Sequence, residues 1–290
     1  MKHFESLNGN SMVSPAQKIC DLKHELDLKA LKCPESVPRD LHGPASSGEY
    51  GPYFGNDFMA AIVPFVPIGF ESHDQITMRV PTRQVLGSSW RVWPDPDISE
   101  EDKASVVEYI ESSSGINDTL YTFIPELGLY LAGEGKNRVN FCRYHGIDEI
   151  PARVMIKRYP GAHRIKLYEV RVNKRYETWA ILDEQYAKKL NHTIHALPFL
   201  KAYGVETLTD WPGEIPGPKV LTHYESDCTP SSKFYYGAID SQLVTELIEK
   251  SNRESSRAED IKRRQKKKQL QRALLLLVSA FLTGLIMGMA

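Results

Sequence analysis

The sequence predicts an α+β chain that ends in a single membrane-spanning helix, and three observations carry that expectation. Short strand patterns alternate with short helix patterns from Ile98 to Leu190. The first 85 residues are broken by Pro, Gly and Ser and hold little regular period. Residues 273–290 (ALLLLVSAFLTGLIMGMA) carry no charge and follow the basic run Lys262-Arg263-Arg264-Gln265-Lys266-Lys267-Lys268.

The last observation is the most pointed. Eighteen helical residues at about 1.5 Å each reach about 27 Å, close to the roughly 30 Å of a hydrocarbon core. The basic flank places the bulk of the chain on the cytoplasmic side. The bilayer and its anionic headgroups are then the expected partners of the basic run. Ala280, Gly284 and Gly288 recur every four residues, a spacing that suits a close helix–helix pairing and hence a homodimer.

The 290 residues carry a formal charge of −1, which hides an asymmetry. Setting aside the seven basic residues after position 260 leaves 29 basic against 37 acidic ones, a formal charge of −8. An acidic body argues against nonspecific DNA binding, which rests on neutralising phosphates. Cys20, Cys33, Cys142 and Cys228 form no close pair, which predicts free thiols rather than a zinc site. The N-terminal MKHFESLNGNS lacks an apolar stretch, so no secretory signal is expected.

Five segments follow from these patterns: an extension over 1–85, an α+β core over 86–200, a Pro/Gly-rich stretch over 201–237, a helical connector over 238–272 and the anchor over 273–290. Residues 14–32 carry a weak helical period, and Pro34 to Phe54 reads as loop. Phe58–Phe70 is apolar but holds Pro64 and Pro67, which suits a buried irregular segment or an edge strand. Ile76–Val80 and Ser88–Val92 read as strands, with Trp90 and Trp93 as packing residues. Ser99, with Asp102 three positions on, resembles a capping box ahead of a helix over Glu100–Ser112. Val106, Val107 and Ile110 give that helix an apolar stripe.

Leu120–Ile124 and Leu127–Leu131 read as strands about a Pro125-Glu126 turn. A helix over Lys136–His145 follows and stops at Gly146. Pro151 opens a strand, and Ile165, Leu167 and Tyr168 mark another. Asp183 is placed to cap a helix over Glu184–Leu190. Thr207–Gly237, with four prolines, reads as largely irregular, and Ala238–Glu249 begins a helix.

The sharpest local pattern is Leu129-Tyr130-Leu131-Ala132-Gly133-Glu134-Gly135-Lys136-Asn137-Arg138-Val139: strand, glycine turn, helix N-terminus. The amides of a first helical turn can take an anion. Gly135 lets a phosphate approach the backbone, and Lys136 and Arg138 add charge. Glu134 suits three roles: orienting a basic side chain, holding Mg²⁺ through phosphate, or acting as a base. The pattern is neither a Walker A loop nor a dinucleotide fingerprint. A plain tight turn with a surface Lys and Arg produces the same string.

The run GEGKNRVNFCRYHGIDEIPARV (Gly133–Val154) resembles the core of the ParB/sulfiredoxin superfamily. Gly135 matches its turn glycine, Arg138 its hallmark arginine, Gly146 its post-helix glycine, and Ile150-Pro151 the entry to the following strand. The resemblance covers roughly residues 86–170. It implies a ParB/sulfiredoxin-like fold that binds a nucleotide or phosphate through Gly133, Gly135, Lys136, Asn137 and Arg138. ATP or CTP with Mg²⁺ is the implied cofactor. Asn137 stands where the family has His or Arg, and Lys136 where sulfiredoxins have their cysteine, which argues against sulfinic-acid reduction.

Three functions follow as expectations. The first is a membrane-tethered, cytoplasmic nucleotide-binding regulator. The second is a phosphotransferase or nucleotide hydrolase with Glu134 as catalytic carboxylate. The third is a non-catalytic membrane scaffold.

Overall fold

A computed structural model describes residues 11–42, 45–46, 49–50, 55–67, 75–87, 98–228 and 235–287. The strand expected at Ser88–Val92, with Trp90 and Trp93, lies outside the described residues. The chain divides into two units, Met1–Ser241 and Gln242–Ala290.

The first unit opens with α1 (Val13–Lys32), α2 (Arg39–His42), β1 (Ala45–Ser46), β2 (Glu49–Tyr50), α3 (Gly55–Ile62), β3 (Ile76–Pro81) and β4 (Val85–Leu86). It continues with α4 (Glu100–Glu111), α5 (Ser113–Asn117), β5 (Leu120–Ile124), β6 (Leu129–Glu134), α6 (Lys136–Tyr144) and β7 (Glu149–Ile156). Then come β8 (Ile165–Val172), β9 (Arg175–Leu182), β10 (Tyr186–Lys189), α7 (Thr193–Tyr203), β11 (Glu206–Leu208), α8 (Pro218–Cys228) and β12 (Ile239–Asp240).

Two five-stranded sheets organise this unit. One has the order β3-β7-β5-β6-β4, with β5 parallel to β7 and β4 parallel to β6. The other has the order β11-β8-β9-β10-β12, antiparallel except for β11 beside β8. The first sheet is covered on both faces, and strand periodicity explains how. On β6, Leu129 and Leu131 enter one core with Phe58, Met59, Ile165 and Leu182. Tyr130 and Ala132 enter a second core with Ile110, Val139, Phe141 and Val154. A strand buried on both faces reads as a continuous apolar run rather than an alternation.

Several expectations are corrected here. Glu184–Leu190 is not a helix. Asp183 and Glu184 adopt left-handed backbone angles (φ 52° and 56°) and turn β9 into β10. Acidic residues tolerate that conformation and serve turns as readily as helix caps. Phe58–Phe70 is not an edge strand: α3 occupies Gly55–Ile62, with Phe58, Met59 and Ile62 buried. Pro64 and Pro67 fall after the helix, where they end it instead of excluding it. The Pro-rich stretch contains β11 and α8.

In the second unit, α9 (Ser241–Met287) is one helix of 47 residues. Among the described residues no helix is long and apolar enough to cross a membrane. That finding overturns the transmembrane helix expected over 273–290 and the C-terminally anchored topology. The basic run lies within the continuous α9, and the side chains described from Arg253 to Gln271 are all exposed. The bilayer, the anionic headgroups and the pairing through Ala280, Gly284 and Gly288 lose the feature on which they rested. The side chains from Arg272 onward, and all of 288–290, lie outside the described residues.

Two buried ammonium groups in the first unit, Lys23 and Lys188, are paired. Lys23 and Asp27, 2 % and 7 % exposed, sit one turn apart on α1 with the ammonium 2.7 and 2.8 Å from the two carboxylate oxygens. The Phe58 ring centroid lies 5.5 Å from the same ammonium. Lys188 on β10 donates to the carbonyls of Ala60 (2.6 Å) and Tyr236 (2.9 Å), and burial lowers its pKa to about 8. On the surface, Arg79 of β3 holds Glu111 of α4 through two bonds of 2.9 Å and Glu149 of β7 through one of 3.1 Å.

Removing one partner of a buried pair leaves the other charge uncompensated. Asp27→Ala is predicted to cost about 3–5 kcal/mol, whereas replacing Lys23 and Asp27 together by Met and Leu should be near neutral. Urea unfolding followed by tryptophan fluorescence measures both. Equal losses in the single and double variants would refute this account of the pair.

Candidate functional site

The pattern Gly133–Arg138 folds as strand end, turn and helix start. β6 runs to Glu134, and Gly135 occupies the N-cap of α6 with φ 75°. Glycine is needed at this left-handed position. A Cβ there would also lie 2.9 Å from Cγ2 of Thr119 and 3.1 Å from Nε of Arg138. With no side chain, Gly135 offers the first-turn amides no capping oxygen. At the other end, the helix stops at Gly146 with φ 66°.

Glu134, Gly135, Lys136, Asn137 and Arg138 line one wall of a cavity of about 350 Å³. Val106, Tyr109 and Ile110 of α4, with Phe141 of α6, form the rest. Gly133 does not line it; a Cβ on this exposed glycine would lie 3.2 Å from the carbonyl oxygen of Leu120 on β5. Glu134 is exposed and Arg138 half-buried. The side-chain oxygen of Asn137 is buried without a hydrogen-bond partner among the described residues.

Arg138 is the best defined of these groups. Its Nη1 donates to the carbonyl of Gly115 at 2.8 Å, and its guanidinium lies 5.9 Å from the centroid of the Tyr109 ring. Among the described residues it has no carboxylate partner. Tyr109 in turn donates its hydroxyl to Asp118, which raises the phenol pKa. Burial raises the pKa of Tyr121 beneath the turn, and that hydroxyl sits 3.3 Å from the carbonyl of Gly135. Burial also pushes the Cys142 thiol up to about 12, so it behaves as a small apolar group.

The α4–α5 corner positions these side chains. Ser99 accepts from the amide of Asp102 at 3.0 Å and caps α4, as its spacing suggests. Ser112 accepts from the amide of Gly115 at 3.0 Å and caps α5. Thr119 accepts from the amide of Arg153 at 2.8 Å, and Arg153 donates back to the carbonyl of Thr119 at 3.0 Å. Tyr109 reaches the cavity only through this tertiary arrangement, whereas Phe141 lies one turn along α6 from Arg138. The sequence signal for Tyr109 was its place one residue outside the apolar stripe of α4.

The far end of α6 is tied to α1. Arg143 pairs with Asp21, which also pairs with Arg83 at 3.0 Å. His24 hydrogen-bonds Asn140, and its Nδ1 is buried without a partner among the described residues. Burial, and then the charge of Arg143, lower its pKa below 6.5. Neither His163 nor Arg164 lines the cavity, and Arg164 pairs with Asp183. Among the described residues no group of three or more His, Cys, Asp or Glu side chains could hold a metal ion.

No family model, curated protein or solved structure matches the chain. The resemblance to the ParB/sulfiredoxin fold is corrected accordingly, and the ParB-like, membrane-tethered regulator falls with it. The residues that carried it each meet a local demand. Gly135 and Gly146 take left-handed angles at the two ends of α6, Arg138 ties the corner at Gly115, and Ile150 and Pro151 lie within β7. Any strand–turn–helix–strand unit rewards these residue types at this spacing.

Two measurements test the site's framework. A Cβ at Gly115 would lie 1.8 Å from the carbonyl oxygen of Tyr109. Gly115→Ala should therefore lower the thermal midpoint, and an unchanged midpoint would refute the tight corner. The second concerns pH. Above about 6.5, His24 is neutral both folded and unfolded, so it costs nothing there. Below that value the unfolded chain takes up a proton that the fold refuses, and stability falls until the folded pKa is reached. Chemical denaturation at about pH 7.5 and 5.5 should show a drop that is smaller in His24→Gln. Identical drops in both proteins would remove His24 as a cause.

Proposed function

We propose that the cavity between α4 and the N-terminus of α6 binds a small phosphate- or carboxylate-bearing molecule, and that the first unit is a binding module. The observation that carries this reading is Arg138, a half-buried guanidinium on the cavity wall, bonded to one carbonyl and without a carboxylate partner among the described residues. A guanidinium has five donors, and a single carbonyl uses one. The helix N-terminus adds partial positive charge on the same wall. Lys136 adds a full one.

A binding role fits these groups better than catalysis. Phosphoryl transfer needs carboxylates or a metal beside the phosphate. Glu134 is the one carboxylate among the described residues lining the cavity, and it is exposed. Within this reading Glu134 opposes an anion, which makes its removal favourable to binding. A nucleotide such as ATP or CTP is one member of the ligand class, with its ring against Tyr109.

Titration calorimetry on the full chain with inorganic phosphate, ATP and CTP, each with and without Mg²⁺, tests the proposal. At least one should saturate a single site. Arg138→Gln should weaken it about tenfold or more, the loss of a charge-assisted contact worth about 1.5–3 kcal/mol. Glu134→Gln should hold the ligand as tightly as the parent or more tightly. Absence of saturable binding for all three probes would overturn the proposal, as would an Arg138→Gln protein that folds and binds unchanged.

A further inference from the structure

A second cavity lies between α1 and α7, away from the first. It measures about 230 Å³. Ile19, Leu22 and Phe199 line it, with Ile194 and Pro198 from the exposed side of α7. Its polar side chains are Lys18 and His195, and no carboxylate belongs to the lining. Lys18 is exposed and makes no ion pair among the described residues. Ile194 is 78 % exposed, a large apolar side chain left in water beside an apolar hollow.

We infer that this groove binds a small amphipathic monocarboxylate, its apolar body against Ile19, Leu22 and Phe199 and its carboxylate on Lys18. Charge complementarity selects the class. An apolar floor with an ammonium on the rim and no carboxylate in the described lining suits a chain or ring that ends in one negative charge. Size narrows it further, because the volume falls below the roughly 300–1,000 Å³ of a site for drug-sized molecules. His195 supports the head group as a neutral ring at pH 7. Burial, and then neighbouring His192, lower its pKa, so it adds a hydrogen bond and no second charge. This inference is independent of the anion cavity at α6.

Octanoate is the probe, with octanol as its uncharged counterpart, titrated into the full chain. Octanoate should saturate one site, and octanol should bind at least about fivefold more weakly, the share of a charge-assisted contact. Lys18→Gln should bring octanoate down to the level of octanol. Ile194→Glu should abolish the saturable site for both. Both side chains are exposed, so both variants should fold, and an unchanged thermal midpoint confirms it. Inorganic phosphate should not compete with octanoate, which separates this groove from the α6 cavity. No saturable octanoate site, equal binding of octanol, or full binding by Lys18→Gln or Ile194→Glu would overturn the inference.

Discussion

The first unit depends on the two-faced burial of one sheet. β6 sends Leu129 and Leu131 to one core and Tyr130 and Ala132 to the other. β5 divides likewise, with Ile124 on one side and Tyr121 and Phe123 on the other. A slip of one residue in either strand would exchange the two sets of side chains. The large aromatic rings would then meet the space shaped for Leu129 and Leu131. The stacked pair Phe123 and Tyr130, with centroids 4.3 Å apart, fixes the register across the two strands.

The α6 cavity inherits its geometry from this sheet. Glu134 ends β6, and the turn at Gly135 throws the chain back over Tyr121. Arg138 then crosses to the carbonyl of Gly115 and fastens the helix to the α4–α5 corner. The same guanidinium braces the fold and faces the cavity. A side chain with five donors can do both, whereas an ammonium has three and no planar fork.

What was legible in the sequence follows from the range of each signal. Caps and terminating glycines act within a few residues, so α4, α6 and the turn at Gly135 could be read from Ser99, Gly146 and their neighbours. The contiguous residues Glu134–Arg138 were legible for the same reason. Asp183 was ambiguous because one residue type suits both a helix cap and a left-handed turn, and β10 has too few apolar residues to decide. Tyr109 joins the cavity from α4 through a contact between distant elements, which no local pattern encodes. The uncharged run after Arg272 is a property of composition, which sets no environment for the helix that carries it; α9 holds that run as far as Met287. The string from Gly133 to Val154 resembled a known core because its glycines and proline meet backbone demands common to many folds.

The two sheets also differ in how far the chain must travel to make them. β8 and β9 pair along eight residues each, closed by Asn173 and Lys174 in left-handed conformation (φ 47° and 68°). β3 pairs with β7 across a long excursion, Ile76 meeting Val154. Each doubling of a loop adds about 0.6 kcal/mol of closure entropy, so the distant pairing begins at a deficit of a few kcal/mol relative to the hairpin. Hairpins form in about 1–10 μs, while sheets built from distant segments wait on chain diffusion. The hairpin at 165–182 can therefore stand before the strand at 76–81 has found its partner. Until that strand arrives, β7 is an open edge, and the chain is most exposed to pairing with a copy of itself.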